Sequence, residues 1–310
     1  MSHGGTRAEP IPSSHLILLN PGSGAGSADD VSRLLLAMTE RAGVPARIEV
    51  LHDPGTVPDL VDRALAGGVT TVVAGGGDGT VSSVAACLVD RDARLGVLPL
   101  GTLNHFAKDL GLPLEAETAM AVVLAGHATR VDVGEVNGRV FLNNSSIGLY
   151  PRMVQLRQRA DAHGWRKWLV AARAAFAVMR HRADLGVQLE ADGVVTARRT
   201  PLVFIGNNVY RMEGLAAGSR TSLEDGVLSL YVLRVRGWGG MLRAGWQVIA
   251  GKVHEGDALD AFEVAEATVN LRHERVPVAL DGEVVPMSTP LCYRVRPRAL
   301  RVLVPPRAAG

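Results

Sequence analysis

Residues 71–80 read TVVAGGGDGT. A β-branched apolar run breaks at Gly75, Gly76 and Gly77. Asp78, Gly79 and Thr80 then lead into a helix-compatible stretch over 80–89. The pattern predicts a strand, a tight turn and a helix start within about fifteen residues. Glycine lets a polyanion approach the backbone closely. The helix start adds unpaired N–H groups and the positive end of the helix dipole. Such a turn suits phosphate, yet it carries a carboxylate, Asp78. A carboxylate beside phosphates is unfavourable unless a cation, a proton or a substrate hydroxyl separates them. This points to phosphoryl transfer rather than passive anion binding.

Two more strand ends have the same character. Residues 15–26, HLILLNPGSGAG, end an apolar strand in Asn20, Pro21, Gly22, Ser23 and Gly24. Residues 95–104, LGVLPLGTLN, end another in Gly101, Thr102 and Asn104. One glycine-rich turn reads equally well as a plain strand-to-helix connection. Three such ends in the first third of the chain do not, because a parallel sheet gathers them along one edge, where ligands bind.

The rhythm around these turns is βα. Strands are predicted over 15–20, 46–51, 71–74 and 95–98. Helices are predicted over 28–42, 57–66, 80–89, 104–110 and 116–125. This alternation implies a mainly parallel sheet. After Arg130 the pattern changes. Residues 131–135 and 139–143 read as a hairpin around Asn137-Gly138. A helical stretch over 164–182 is followed by short strands over 186–190, 194–198, 202–207, 227–235, 261–271, 276–280 and 292–295. The expectation is a tail over 1–14, an α/β domain over 15–130 and a β-rich antiparallel domain over 131–298.

Composition sets limits. The chain has 310 residues and net charge +2, with 47% hydrophobic and 21% charged residues, which is ordinary for a soluble globular protein and gives no field that would argue for nucleic acid. Cys87 and Cys292 form no disulfide or metal-binding spacing. No apolar run reaches the length of about eighteen residues that suggests a membrane span. Residues 1–14 are polar, rich in Pro and Gly, and lack the apolar segment of a signal peptide. Cytoplasmic residence is the expectation.

The blocks NPGSG, GGGDGT and PLGTLNHFAKDLGLP resemble the diacylglycerol kinase catalytic-domain family. That family includes soluble bacterial diacylglycerol kinases and the sphingosine and ceramide kinases. The resemblance continues through Val131-Asp132-Val133-Gly134, Asn137-Gly138, Phe141-Leu142-Asn143, Gly148, Leu223-Glu224-Asp225-Gly226 and Leu280-Asp281-Gly282-Glu283. It implies that residues 299–305 return as a final strand to the first domain, and that the active site occupies the cleft between domains.

The resemblance implies an ATP-dependent lipid kinase using Mg²⁺. The nucleotide is assigned to Asn20, Gly22, Ser23 and Gly24, to Gly75, Gly76, Gly77, Gly79 and Thr80, and to Gly101, Thr102 and Asn104. No Gly-Lys-Ser/Thr follows the glycines, so this is no Walker A loop. The first loop also lacks the lysine of some relatives, and His105 stands where an Asp commonly follows the Asn. Two bases compete for the acceptor proton. Asp281, assisted by Glu283, is the preferred one. Asp78, favoured in sphingosine kinases, is the other and otherwise organises nucleotide and Mg²⁺. An Asp-Gly pair is also an ordinary hairpin turn. Ser222, Asp225 and the Val227 carbonyl match a loop that carries a structural divalent ion in bacterial members, where Asp132 is expected to order the network.

A lipid acceptor implies peripheral contact with the inner membrane surface. Residues 163–182 place Arg166, Arg173 and Arg180 on one helical face and Trp165, Trp168 and Phe176 on another. That pattern suits an anionic membrane and equally suits a helix packed on a core. The aromatic stretch over 237–249 raises the same question. A homodimer is compatible with this reading. An NAD-kinase-like enzyme with a soluble substrate and a non-catalytic nucleotide- or lipid-binding regulator are the alternatives.

Overall fold

The computed structural model describes residues 14–20, 28–148, 151, 185–191, 194–210, 219–233 and 259–306. The chain divides into two compact units, one of residues 1–129 and 301–310, the other of residues 130–300. Gly22, Ser23, Gly24 and the stretches 163–182 and 237–249 lie outside the described residues.

The first unit is α/β. Its strands are β1 (His15–Leu19), β2 (Ala46–Val50), β3 (Thr71–Gly76) and β4 (Arg94–Pro99). They pair in parallel in the order β2-β1-β3-β4. The helices are α1 (Ala28–Arg41), α2 (Val57–Ala66), α3 (Asp78–Leu88), α4 (His105–Asp109) and α5 (Ala116–Ala125), with one 3₁₀ turn at Pro54–Thr56. Ile17, Leu19, Val73 and Leu98 pack against Leu35 of α1 and Met120 and Val123 of α5. The intervening Leu16, Leu18, Val72 and Ala74 are equally buried, as strands covered on both faces require. Gly96 fits because a Cβ there would crowd the Val123 side chain of α5 at 3.0 Å and that of Val73 at 3.1 Å.

The second unit is β-rich. A six-stranded antiparallel sheet runs β12-β11-β10-β7-β14-β15. Its strands are β7 (Asn144–Gly148), β10 (Leu202–Asn207), β11 (Leu228–Leu233), β12 (Leu259–Val264), β14 (Arg275–Leu280) and β15 (Glu283–Ser288). Opposite it lie β8 (Leu185–Ala191), β9 (Val194–Thr200), β13 (Glu266–Leu271) and β16 (Leu291–Leu303), with β5 (Ala128–Val136) and β6 (Arg139–Phe141) beside β16. Ile147, Val203, Ile205, Leu230 and Val278 of one sheet share a core with Val187, Leu189, Val269, Leu291 and Tyr293 of the other. Phe141 meets Tyr293 edge to face at 6.4 Å between ring centroids. Burial pushes the Tyr293 hydroxyl well above the usual tyrosine range, and it bonds Ser145 Oγ at 3.0 Å.

The fold class read from the sequence holds: a mainly parallel α/β unit and an antiparallel β-rich unit. Several boundaries differ. β3 runs on to Gly76, so Gly75 and Gly76 are buried strand residues rather than exposed turn residues. The stretch 261–271 is two strands in different sheets, β12 and β13, broken at Ala265. The segments 292–295 and 299–305 are one strand, β16, whose Arg301 and Val302 pair in parallel with Arg94 and Leu95. Asn137 and Gly138 close the β5–β6 hairpin with φ of 46° and 80°, the left-handed pair that a two-residue turn requires.

Candidate active site

In the first unit three strand ends meet as the glycine pattern implies. Asn20 follows β1, and its backbone N–H donates to the Gly75 carbonyl at 2.8 Å. Its side-chain Nδ2 donates to Thr80 Oγ1 at 3.0 Å. The Leu100 N–H donates to the Gly76 carbonyl at 3.0 Å, joining the end of β3 to the loop after β4. A Cβ on Gly75 would lie 2.4 Å from Leu19 Cδ2, and one on Gly76 would lie 2.5 Å from Thr80 Oγ1. These two glycines therefore serve close packing of the strand ends.

Gly77 caps α3 and has no side chain to bond the first turn. The N-terminus of α3 thus presents its N–H groups and dipole end without an internal cap. Asp78 opens the helix, and its Oδ1 accepts a hydrogen bond from the Phe106 N–H at 3.3 Å. One carboxylate thereby ties the α3 turn to the start of α4. Gly79 and Thr80 are half-buried in that turn.

Asn104 occupies the left-handed region at φ 50° and is buried. Its Oδ1 accepts from the Gly101 N–H at 3.1 Å, while Nδ2 donates to the carbonyls of Gly101 and Pro99 at 2.8 and 3.2 Å. The amide thus shapes its own loop by satisfying both Gly101 backbone groups. Thr102, Leu103 and His105 are exposed around it.

In the second unit Asp281 and Gly282 form the β14–β15 turn, with φ of 46° and 90°. Asp281 also does more than turn the chain. Its Oδ2 accepts the Leu142 N–H at 2.8 Å, and its Oδ1 accepts those of Asn143 and Asn144 at 2.8 and 3.1 Å. The carboxylate is held in one orientation against the bend between β6 and β7. Glu283, which opens β15, is exposed.

The loop holding Ser222, Asp225 and Val227 is tied down by Asp132, a carboxylate buried to 1% exposure. Asp132 Oδ2 accepts the Gly226 N–H and its Oδ1 the Arg298 N–H, each at 2.7 Å. Ser222 Oγ accepts the Glu224 N–H at 3.0 Å, and the Val227 carbonyl accepts the Asn208 N–H at 2.9 Å. Asp225 is exposed. Among the described residues there is no cluster of three or more His, Cys, Asp or Glu placed to hold a metal.

Sequence reading did not single out Arg220. It is buried at 8% exposure and bonds the carbonyl of Leu142, the carbonyl of Asn207 and Asn143 Oδ1. No short-range pattern signals it, since its acceptors on Leu142 and Asn143 lie some 78 and 77 residues away in the chain.

Known proteins bear on both units. Residues 14–136 match the family described as the diacylglycerol kinase catalytic domain. Residues 153–304 match the one described as the YegS C-terminal NAD kinase beta sandwich-like domain. Over 135 residues the chain is 41% identical to a Pseudomonas aeruginosa protein named "Probable lipid kinase YegS-like", covering 43% of this chain and 44% of that relative. An Enterobacter protein of the same name is 35% identical over 137 residues, 43% of this chain and 45% of the relative. The chain thus matches less than half the length of these curated relatives. Two crystal structures from Bacillus anthracis each cover 96% of this chain and 99% of their own, with TM-scores of 0.74 and 0.70 at 22% and 20% identity. The second is described as a diacylglycerol kinase, and at such identity the likeness is one of fold. No helix among the described residues is long and apolar enough to cross a membrane.

Proposed function

We propose that this chain, whose residues 14–136 match the diacylglycerol kinase catalytic domain and residues 153–304 the YegS C-terminal domain, transfers the γ-phosphoryl group of ATP to a lipid hydroxyl, diacylglycerol or a related acceptor. The observation that carries the reading is the uncapped N-terminus of α3, approached by the glycine-lined ends of β3 and β4. Open backbone N–H groups at a helix start suit a polyanion. Gly77 and Gly79 leave room for phosphates at the helix start, with Thr80 and Thr102 beside them, Gly101 packed against Gly77, and Asn20 and Asn104 ordering the strand ends.

Phosphoryl transfer is mainly positioning and charge stabilisation. Asp78 is a hard oxygen donor at the phosphate turn and fits Mg²⁺, which when bound neutralises phosphate charge. Asp281 takes the proton from the acceptor hydroxyl as its oxygen bonds the γ-phosphorus. The bond from that phosphorus to the β–γ bridging oxygen breaks, and ADP leaves. Glu283 assists through hydrogen bonding or metal contact. One observation favours a second assignment of the base: three backbone N–H groups take up lone pairs on Asp281, whereas one backbone N–H bonds Asp78. A water-insoluble acceptor also requires peripheral membrane contact.

The test is a transfer assay with purified protein, labelled ATP and Mg²⁺. Diacylglycerol, ceramide, sphingosine, phosphatidylglycerol and NAD serve as acceptors. Label in one lipid is expected. Label in NAD alone would make the chain a soluble-substrate kinase, and ATP binding without transfer would make it a regulator.

A further inference from the structure

The peptide group between Leu142 and Asn143 is held at both ends by opposite charges. Arg220 Nη1 donates to its carbonyl oxygen on Leu142 at 2.6 Å. Asp281 Oδ1 accepts its N–H on Asn143 at 2.8 Å. Cation, peptide dipole and anion lie in series, the arrangement in which hydrogen bonds polarise and strengthen one another. The neighbouring groups are held the same way. Arg220 Nη2 bonds Asn143 Oδ1 at 2.8 Å. The Asn143 carbonyl accepts from the Tyr210 hydroxyl at 3.0 Å and the Asn207 N–H at 2.9 Å. On the other side Asp281 takes the Leu142 and Asn144 N–H groups as well. The Tyr210 ring stacks under the guanidinium, 5.7 Å from Cζ to the ring centroid.

Asn137-Gly138 closes an equivalent two-residue turn, and the Asn137 side chain also bonds backbone groups of Ser288, Pro290 and Cys292, but no buried arginine among the described residues clamps those groups from behind. The extra structure at Asp281 serves the direction of its carboxylate. We propose that Arg220 is a positioning residue that sets the orientation of Asp281 by clamping the Leu142–Asn143 peptide from the opposite side. The assignment rests on the reading that Asp281 takes part in phosphoryl transfer. Arginine suits the task because its planar fork reaches a carbonyl and an amide oxygen together, whereas lysine presents a single compact charge.

The experiment uses the full chain and whichever lipid the wild type phosphorylates in the acceptor panel. Arg220→Lys, Asp281→Asn and the double variant are compared for kcat, for the ATP KM and for amide hydrogen exchange at residues 142–144. A misdirected catalytic group costs up to about 10²-fold, so Arg220→Lys should lower kcat by about 10- to 100-fold. The ATP KM should stay within about 2-fold, and exchange at 142–144 should speed up. Because Arg220 acts through Asp281, adding Arg220→Lys to Asp281→Asn should cost little more, the non-additivity of coupled sites. Wild-type kcat in Arg220→Lys, or losses that multiply in the double variant, would overturn the assignment alone. Full turnover in Asp281→Asn, or no lipid labelled by the wild type, would overturn the underlying reading and this one with it. Asn143→Ala keeps the arginine and removes one of its acceptors, so it decides the matter should Arg220→Lys not fold. A fall of about 3- to 10-fold in kcat is expected, and an unchanged kcat overturns the proposal.

Discussion

Gly77 and Gly101 stand backbone against backbone: a Cβ built on Gly101 would lie 2.4 Å from the Gly77 Cα and 3.2 Å from its nitrogen. The contact joins the cap of α3 to the loop after β4. It is not symmetric. A Cβ on Gly77 would meet its nearest heavy atom, Gly101 Cα, at an ordinary 3.5 Å. Gly77 also has φ −85° and ψ −176°, which any residue adopts. Gly101 is therefore a packing glycine, while the space beside Gly77 has room for a methyl group and is kept clear.

That asymmetry separates structure from ligand. Gly101→Ala should cost about 1–3 kcal/mol of stability, as overpacking against rigid backbone does. Gly77→Ala should cost about 1 kcal/mol at most, the penalty of a poorer cap. It should still weaken ATP binding at least about tenfold, or 1.4 kcal/mol. Thermal unfolding and nucleotide titration check the pair. A Gly77→Ala protein that folds and binds ATP normally would remove the phosphate-cradle reading.

The two candidate bases call for different controls. In Asp78→Asn the amide oxygen can still accept the Phe106 N–H, so the fold should be unaffected. Asp281→Asn is less benign, because an NH₂ group would face backbone donors on one side of the present carboxylate. A stability loss of about 1–3 kcal/mol is expected there. Turnover per folded molecule should fall about 10²–10⁴-fold if Asp281 is the general base, with ATP affinity little changed. An active Asp281→Asn, beside an inactive Asp78→Asn that binds ATP, would move the base to Asp78.

How far the sequence reached depends on the range of each interaction. The strand–glycine–helix turn at 71–80 is local, and its pattern is unambiguous in period and in turn chemistry. The Asn137-Gly138 hairpin was legible for the same reason. The double duty of Asp281 was not, since its donors at Leu142, Asn143 and Asn144 lie at the bend between β6 and β7, 139, 138 and 137 residues away in the chain. Arg220 was invisible because an arginine bonding carbonyls leaves no partner residue type to look for. The break at Ala265 was hidden because β12 and β13 form one run of strand-compatible residues, and only pairing with different neighbours divides them.

The loop at Ser222, Asp225 and Val227 supports a test by linkage. An ion bound only to the folded state stabilises by about 2.7 kcal/mol at about 100 times its Kd. Millimolar Mg²⁺ or Ca²⁺ should raise the unfolding temperature of the wild type and leave Asp225→Ala unchanged. Asp132→Ala should lower stability with or without the ion. It removes the acceptor of the part-buried Gly226 and Arg298 N–H groups and should cost about 1–3 kcal/mol in all. An equal response to the ions in wild type and Asp225→Ala would mean that Asp225 takes no part in binding them.

A pH effect on stability follows from His15, the first residue of β1. It is buried at 8% exposure, with Nδ1 2.8 Å from Ser14 Oγ. Burial, and then the positive charge of Arg94, holds its pKa below the ordinary 6.5. The unfolded chain therefore takes up the proton first as pH falls. Stability from the neutral imidazole is complete above pH 6.5 and is lost as pH drops from there towards the lowered folded-state value. Unfolding midpoints from about pH 7.5 to about pH 5.5 should fall for the wild type, with a shallower slope in His15→Gln, which cannot titrate. Identical slopes for the two proteins would show that His15 titrates alike in the folded and unfolded chain and carries none of the pH dependence.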